Sequence, residues 1–330
     1  MADVARTAGV SVATVSKVVN GKDGISAART QHVKDVIADM GYMANLGAQA
    51  LRSGKTGVLG ILVADFEPFS TELLKGAATA LKETNYELLA YTGKGGNGGT
   101  EGWEHQHVAR LSRSVIDGAV IVTPSGVDTK FAVPVVAIDP HVGTPELPTV
   151  KCDSYQGAVT ATQYLIKLGH TRIGFLGGRA DLQSSKDREA GFRFAMRDAG
   201  LPVVEEFVGE GGYLPELSIA PAHAMLEPDI RPTAVFAAND LSAIEVMTVA
   251  EDLGLSVPRD LSVIGFDNVP DSALFHIPLT TIAQPLAEMG ALALRMLTDL
   301  LTGTKTETHI TMPTVLVERS SCAPPREAKS

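Results

Sequence analysis

Carboxylates, amides and one guanidinium occur in this chain where α/β proteins commonly hold a small polar ligand. Predicted strands are followed directly by Asp65, Asp139, Asn239-Asp240 and Asp267-Asn268, and Arg188 lies at the start of a predicted helix. Carboxylates accept pairs of hydroxyl hydrogens and a guanidinium donates in a fork, so these groups suit a ligand with many hydroxyls. Candidates for stacking on the faces of a sugar ring are Phe66, Phe69, Trp103, Tyr213 and Phe266. For any single Asp, helix capping or a solvated turn explains the position about equally well.

Patterns that would support catalysis or metal binding are weak. The two cysteines lie far apart, and His105 and His107 lack partners at a convincing spacing for a metal. A G-x-S-x-G nucleophile elbow is missing from the sequence. The segment 53–56 has the sequence of a phosphate-loop ending, but Gln49 occupies the position where that loop needs its first glycine. The sequence therefore predicts a binding protein, not an enzyme, with neither cofactor nor metal.

From residue 58 onward, short apolar segments alternate with segments of helical periodicity. The predicted strands are Val58–Ala64, Glu87–Tyr91, Ala119–Val122, Val135–Ile138, Ile173–Gly177, Ala234–Ala237, Ser262–Phe266 and a last one near Ile310–Val317. The predicted helices lie near Thr71–Thr84, His105–Ser114, Tyr155–Leu168, Lys186–Ala199, Leu241–Leu253 and Leu286–Leu301. This alternation predicts an α/β body with helices on both faces of parallel strands, and the strand count favours two sheets. Ligands of such sheets bind beyond the carboxyl ends of the strands, where the polar residues above occur.

The first forty residues predict a compact all-α bundle of three short helices. The first helix ends at Gly9, which can adopt the left-handed conformation, and Ser11 and Ser26 can cap the second and third. The apolar residues expected in its core are Val4, Ala5, Ala8, Val10, Val15, Val18, Val19, Val33, Val36, Ile37 and Met40. The second helix leaves outward a set of small, polar and basic groups that a DNA major groove accepts, namely Val12, Ala13, Thr14, Ser16 and Lys17. A small bundle without a DNA role explains the same pattern about equally well.

Charge is distributed unevenly between these two parts. The whole chain carries a net charge of −10, but residues 1–57 contain seven basic and four acidic residues and carry +3. The remainder therefore carries −13. A small basic module on an acidic body is expected to approach phosphate alone while the body is held away.

The bulk properties indicate a fully folded protein of several domains. The chain has 330 residues, of which 45% are hydrophobic and 20% charged. The longest apolar run, Val58–Ala64, is far shorter than the roughly 18 residues that a membrane span needs, and no secretion leader opens the chain. We therefore expect a cytoplasmic protein, associated with the nucleoid and not with a membrane.

Residues 44–57 are expected to connect the two parts. Asn45–Leu51 has helix-forming content but only one or two turns of length, so a helix here is marginal in isolation. Such a segment can fold when it pairs with its symmetry mate on DNA, and a plain flexible linker is the alternative.

The segment Asp3–Gly21 resembles the headpiece signature of the LacI (lactose-repressor) family. It has the form D-V-A-x-x-A-G-V-S-x-A-T-V-S-K-V-V-N-G and matches at nearly every position. The resemblance implies that residues 1–43 form a helix-turn-helix headpiece in which Val12, Ala13 and Lys17 read bases. It further implies that the DNA backbone is held by Thr14, Ser16, Asn20 and Ser26. In the hinge helix that it implies over 44–57, Ala48 allows close helix approach and Leu51 wedges into the minor groove.

Several blocks of the body are similar to the effector domain of the same family. They are Leu168–Gly178, Arg188–Phe192, Ala237–Asp240, Val263–Asp267 and Leu279–Ile282. The resemblance implies a periplasmic-binding-protein-like body over 58–330, with two Rossmann-like lobes at about 58–140 with 285–308 and about 141–284 with 309–319. It places effector contacts on Arg188, Asn239 and Asp267, and less directly on Asp65, Phe69, Asp139, Ser184 and Tyr213.

Taken together, these features predict a repressor that a small sugar releases from a pseudo-palindromic double-stranded operator. A homodimer is expected, because no leucine heptads follow the last strand to form a tetramer. A corepressor-dependent regulator of the same fold is the alternative. A stand-alone cytoplasmic sugar-binding protein is a more remote one.

Overall fold

The chain forms two compact units in a computed structural model. The smaller unit comprises Met1–Gly57 and Arg113–Ile116, and the larger comprises Val58–Ser112 and Asp117–Ser330. The structure describes residues 1–19, 23–41, 55–93, 102–125, 130–141, 147–305 and 307–326. Most of the segment expected to be a hinge helix, including Ala48 and Leu51, lies outside these residues, as does Asn20.

The N-terminal unit contains the three predicted helices, α1 (Ala2–Thr7), α2 (Val12–Val19) and α3 (Ala27–Asp39). Their buried core consists of Val4, Ala5, Ala8, Val15, Val18 and Val33. Gly9 has a φ of +62°, and Ser11 Oγ accepts a hydrogen bond from Thr14 N at 3.1 Å, so both predicted boundary devices are confirmed.

Two details of the third helix differ from the prediction. Met40 was expected in the core but is 42% exposed, because α3 ends at Asp39 and Met40 serves as its C-cap. Ser26 occupies the N-cap position of α3 without making a side-chain capping hydrogen bond.

The first lobe of the body is a six-stranded sheet in which every described pairing is parallel. Its strands are β1 (Val58–Val63), β2 (Glu87–Thr92), β3 (Gly118–Val122), β4 (Val135–Ile138), β5 (Thr149–Cys152) and β11 (His309–Met312), in the order β11-β5-β4-β3-β1-β2. Its helices are α4 (Pro68–Leu81), α5 (Trp103–Leu111) and α11 (Leu286–Thr302).

The second lobe is also a six-stranded sheet, with one antiparallel edge. Its strands are β6 (Ile173–Gly177), β7 (Val208–Glu210), β8 (Ala234–Ala237), β9 (Ser262–Asp267), β10 (Thr280–Ala283) and β12 (Val315–Val317), in the order β12-β10-β9-β8-β6-β7. Its helices are α6 (Ser154–Lys167), α7 (Gln183–Asp198), α8 (Pro215–Leu226), α9 (Asp240–Asp252) and α10 (Pro270–Leu274), with a 3₁₀ turn at Glu205–Phe207. Strand β12 runs antiparallel to β10. The two parallel sheets confirm the predicted fold class.

The lobe limits differ from those expected, because β5 and β11 belong to the first sheet. β5 pairs with β4 at Ala137–Thr149 and β11 pairs with β5 at His309–Thr149. The single strand predicted near 310–317 is in fact two strands, one in each sheet. The chain therefore crosses between the lobes after β5, after β10 and after β11.

Helices α4 and α11 approach each other very closely at two glycines. A Cβ atom on Gly76 would lie 1.7 Å from the Ala287 carbonyl oxygen, and one on Gly290 would lie 2.0 Å from the Leu73 carbonyl oxygen. Because both obstacles are backbone atoms, neither can rotate away. Only glycine permits this helix packing, which holds α4 and its N-terminus beside the edge of the first sheet.

Gly290→Ala is expected to destabilise the body by about 3 kcal/mol or more, because the helices must separate to admit the methyl group. Gly303→Ala is the matched control. Gly303 has a φ of +73° and a Cβ added there would meet no atom within 4 Å, so its cost is about 1 kcal/mol of backbone strain. Urea unfolding followed by the fluorescence of the single tryptophan, Trp103, measures both. Equal midpoints for the two variants would contradict the packing argument.

Candidate functional site

A cavity of about 530 Å³ lies between the two lobes of the body. Its lining residues come from the ends of β1, β3, β4, β8 and β9 and from the starts of α4, α7, α8 and α9. All eight predicted effector residues line it, namely Asp65, Phe69, Asp139, Ser184, Arg188, Tyr213, Asn239 and Asp267. The structure thus brings together residues that lie far apart in the sequence, and their role toward a ligand stays a prediction.

Arg188 is the central cation of this cavity. Its side chain is 4% exposed, and it lies in the first turns of α7. The guanidinium donates to the Ala238 carbonyl oxygen and to Ser154 Oγ, and its Nη1 lies 3.5 Å from Asp267 Oδ1. The Phe266 ring lies beneath it, with the guanidinium carbon 3.8 Å from the ring centroid. This ring therefore holds the guanidinium by a cation–π contact, and Phe266 does not itself line the cavity.

Asp267 ends β9 with a φ of +110°, a strained conformation that turns its carboxylate into the cavity. Gln284 Nε2 donates to Asp267 Oδ1 at 2.6 Å. Burial raises the pKa of Asp267 to about 7, although Arg188 and Gln284 favour its charged form. Gln284 lies where β10 leads into α11, so the chain that crosses between lobes is tied directly to this carboxyl group. Sequence reasoning missed Gln284, because nothing local distinguishes it.

Asp139, Ser184 and Tyr213 form a second polar group beside Arg188. Burial raises the pKa of Asp139, while Arg188 and a hydrogen bond with Ser184 act in the opposite direction. Asp139 and Tyr213 both have positive φ, at 48° and 68°. The Tyr213 hydroxyl is buried beside Ser184 but makes no hydrogen bond of normal geometry with any described residue. A buried hydroxyl without a partner is costly, and a ligand could supply that partner.

Glu67 also lines the cavity and was not predicted. Both of its carboxylate oxygens accept from Ser70 N, at 3.1 and 3.0 Å, so Glu67 caps α4. Burial raises the pKa of Glu67, and the nearby Asp65 raises it further. Asp65, which is exposed, accepts from Phe66 N at 2.7 Å. The segment 65–67 therefore presents two carboxylates to the cleft from the first lobe.

Three polar residues that follow strands have structural partners. Asn239 lines the cavity, yet its Oδ1 caps α9 at Ser242 N and its Nδ2 donates to the Tyr213 carbonyl oxygen. Asp240 is fully buried and accepts from Thr281 Oγ1 and Val269 N. Asn268 accepts from Arg319 outside the cavity lining. Asn239 is therefore the helix cap, whereas Asp240 is neither a cap nor part of a solvated turn. Phe66 and Trp103 lie outside the cavity lining.

The lobes also touch through His141, which follows β4. His141 Nδ1 lies 3.2 Å from Asp181 Oδ2, and Gln183 N donates to the His141 carbonyl oxygen at 3.1 Å. Asp181 in turn accepts two hydrogen bonds from Arg179, which lines the cavity. A direct contact thus joins the first lobe to the loop that precedes α7.

In the headpiece, the outward face of α2 has the predicted composition. Val12 is 48% exposed, Ala13 and Lys17 are exposed, and Thr14 and Ser16 are partly buried. Ser26 is exposed as well. Their contacts with DNA stay predictions.

The described residues contain no helix long and apolar enough to cross a membrane. Within the same part of the chain, no group of three or more His, Cys, Asp or Glu residues could hold a metal ion.

Comparison with known proteins assigns both parts of the chain. Residues 1–45 match the model for bacterial regulatory proteins of the lacI family, and residues 162–322 match that for a periplasmic binding protein-like domain. Catabolite control protein A of Priestia megaterium is 34% identical over 304 residues, which are 90% of each chain. The chain belongs to the LacI family. It is a DNA-binding transcription regulator, and its relatives are regulators, not enzymes.

Two solved structures resemble this chain over nearly its whole length. A transcriptional regulator CelR–cellobiose complex has a TM-score of 0.72 and 30% identity, covering 96% of this chain and 98% of its own. A lac repressor dimer bound to operator and the anti-inducer ONPF has a TM-score of 0.84 and 25% identity, covering 97% and 98%. The fold therefore extends over the headpiece and the body alike.

The pKa of Asp267 predicts how the stability of the ligand-free body depends on pH. Between its ordinary value of 3.8 and about 7, the folded protein holds a proton that the unfolded chain has released. The free energy of unfolding therefore falls as pH rises, by up to about 1.4 kcal/mol per pH unit for one proton. Asp267→Asn removes this proton and is expected to flatten the profile between pH 5 and 7.

Urea unfolding at pH 5, 6 and 7 measures this effect, again through Trp103 fluorescence. Asp198→Asn, an exposed position at the end of α7, is the control and should keep the parent's slope. Parallel profiles for Asp267→Asn and the parent protein would show that Asp267 titrates normally.

Proposed function

We propose that this regulator acts in the cytoplasm as a homodimeric repressor, bound to a pseudo-palindromic operator and released when a small sugar enters the cleft. The observation that carries the proposal is the cavity built around Arg188, where hydroxyl-binding carboxylates from two lobes converge. Both the cellobiose complex of CelR and the operator-bound lac repressor dimer support it by similarity.

The mechanism is linkage between the cleft and the headpiece. Asp65, Glu67 and Asp139 come from the first lobe, whereas Arg188 and Asp267 come from the second. A ligand that contacts both sets favours one relative position of the lobes over another. If that position spaces two headpieces poorly on the operator, ligand binding lowers DNA affinity, and by reciprocity the operator lowers ligand affinity.

The headpiece would bind through the outward face of α2. Lys17 and the exposed Val12 and Ala13 would face base edges, while Thr14 and Ser16 would contact the backbone. Ala48 and Leu51 would complete the contact from a hinge helix. Because residues 1–57 carry +3 and the remainder −13, phosphate attraction is confined to this module.

Lys17→Ala is expected to weaken binding to a selected operator by about fivefold or more, because it removes a contact worth about 1–3 kcal/mol. Lys34→Ala removes the same charge from an exposed position on α3 and is the control. Fluorescence anisotropy of the full chain, with an operator selected from random paired half-sites, measures both at fixed salt. If both variants lose the same operator affinity, the proposed role of α2 in DNA binding is wrong.

Asp267→Ala is expected to abolish ligand-induced release of the operator while sparing operator binding in the absence of ligand. A thermal-shift screen of pentoses, hexoses and disaccharides first identifies a ligand that raises the melting temperature. Gel shift with that ligand then compares Asp267→Ala with the control Asp198→Ala. An undiminished response in Asp267→Ala would refute its assignment, and tighter operator binding with ligand would reverse the sign of regulation.

A further inference from the structure

Carboxyl groups outnumber guanidinium groups in the lining of the cleft. Among its lining residues are four carboxyl groups, Asp65, Glu67, Asp139 and Asp267, and two guanidinium groups. Arg179 is already engaged by a bidentate contact with Asp181, at 3.1 and 2.7 Å. Among these lining residues, Arg188 is therefore the cation that remains to balance the four carboxyl groups.

The four carboxyl groups are close enough to influence one another across the cleft. Glu67 of the first lobe and Asp267 of the second repel each other, and Asp139 adds to the repulsion at Asp267. Asp65 likewise repels Glu67. Arg188 Nη1 lies 3.5 Å from Asp267 Oδ1. The guanidinium also donates hydrogen bonds to Ala238 and Ser154, so it neutralises only part of this charge. Like charges that share a partly buried cleft favour either bound protons or a bound cation.

The cavity also has features of a ligand-binding site that do not depend on its charge. The Tyr213 hydroxyl is buried in its lining beside Ser184 and makes no hydrogen bond of normal geometry with any described residue. Leu214, Leu217 and Leu241 form an apolar wall at the starts of α8 and α9, which a Ser218–Ser242 hydrogen bond holds together. Leu217 is 52% exposed, so the wall is open to the cleft. These features suit an organic ligand with hydroxyl groups better than a free ion.

We infer that the effector is a polyhydroxylated amine, such as an amino sugar, whose ammonium group lies among Asp65, Glu67 and Asp267. This inference rests on the proposed function of the same cleft and names its ligand class. An ammonium group would donate hydrogen bonds to these carboxylates and would add a second cation beside Arg188. A phosphorylated sugar would add negative charge to the same place and is excluded by repulsion.

Isothermal titration of the full chain at pH 7 tests the inference with glucosamine, galactosamine and mannosamine. Each is paired with its neutral parent hexose, its N-acetyl derivative and the corresponding hexose 6-phosphate. We expect one amine to bind at least tenfold more tightly than its parent and its N-acetyl derivative, with no binding of the phosphate. Tighter binding of the neutral partners, or no binding of any amine, overturns the inference.

Glu67→Gln separates the charge from the shape of the site, because Gln retains an acceptor for capping α4. It is expected to weaken amine binding at least tenfold and to change binding of the parent hexose less than threefold. Glu83→Gln, an exposed position just beyond α4, should match the parent protein. Asp65→Asn provides a second test if Glu67→Gln melts early. Equal effects on amine and hexose in both variants would contradict the charge argument.

The pH dependence of amine affinity distinguishes a charge interaction with the ligand from a purely structural role of these residues. The charged and titratable groups of the cleft lining are Asp65, Glu67, Asp139, Asp267, Arg179, Arg188 and Tyr213, and Lys151 and Asp187 act on Asp139 from outside it. As pH falls from 7 to 5, Asp267, whose pKa is raised to about 7, takes up its proton while an aliphatic amine stays charged. The Glu67 charge contributes to that raised pKa. Amine affinity should therefore fall at least fivefold, with a smaller change in Glu67→Gln. Operator binding, measured in parallel, fails only if the proposed function itself is wrong.

Discussion

The cleft depends on the burial of one guanidinium, that of Arg188. A cation removed from water is costly unless carboxylates, carbonyls or π-faces surround it, and this chain supplies all three. Meeting that requirement fixes where α7 begins, where β8 and β9 end, and which ring lies under the guanidinium. It also accounts for the positive φ of Asp139, Tyr213 and Asp267, because each strained residue turns a side chain toward the same small volume.

Much of the body could be predicted from sequence because its strands are continuous apolar runs buried on both faces. Val58–Val63 and Ser262–Asp267 are buried along their whole length, and such runs stand out against their polar flanks. The strands that escaped prediction, β5, β7 and β10, have only three or four residues, so their identity depends on their neighbours in the sheet. Strands β11 and β12 were expected as a single strand. For the same reason, the lobe to which β5 and β11 belong could not be read from sequence.

Residues that line the cavity were predictable where a residue type follows a strong strand or matches a family block, as for Asp139, Arg188 and Asp267. Glu67 and Gln284 escaped because their importance arises from tertiary placement. Glu67 looks like an ordinary residue before a proline, and Gln284 becomes notable only when the crossing segment brings it to Asp267. Conversely, Asp240 follows a strand as a ligand-binding residue would, but its carboxylate accepts hydrogen bonds from Thr281 and from the backbone of Val269. Sequence position alone cannot separate these two uses of a carboxylate.

The contact between His141 and the loop before α7 has a thermodynamic meaning of its own. Its side-chain contact with Asp181 and its backbone hydrogen bond join the lobes without any ligand, so part of the entropic cost of bringing them together is already met during folding. A ligand that enters the cleft then needs to immobilise less of the protein, and more of its interaction energy appears as affinity. For the proposed ligand, the strength of this contact outside the cleft would therefore contribute to the concentration range over which it acts.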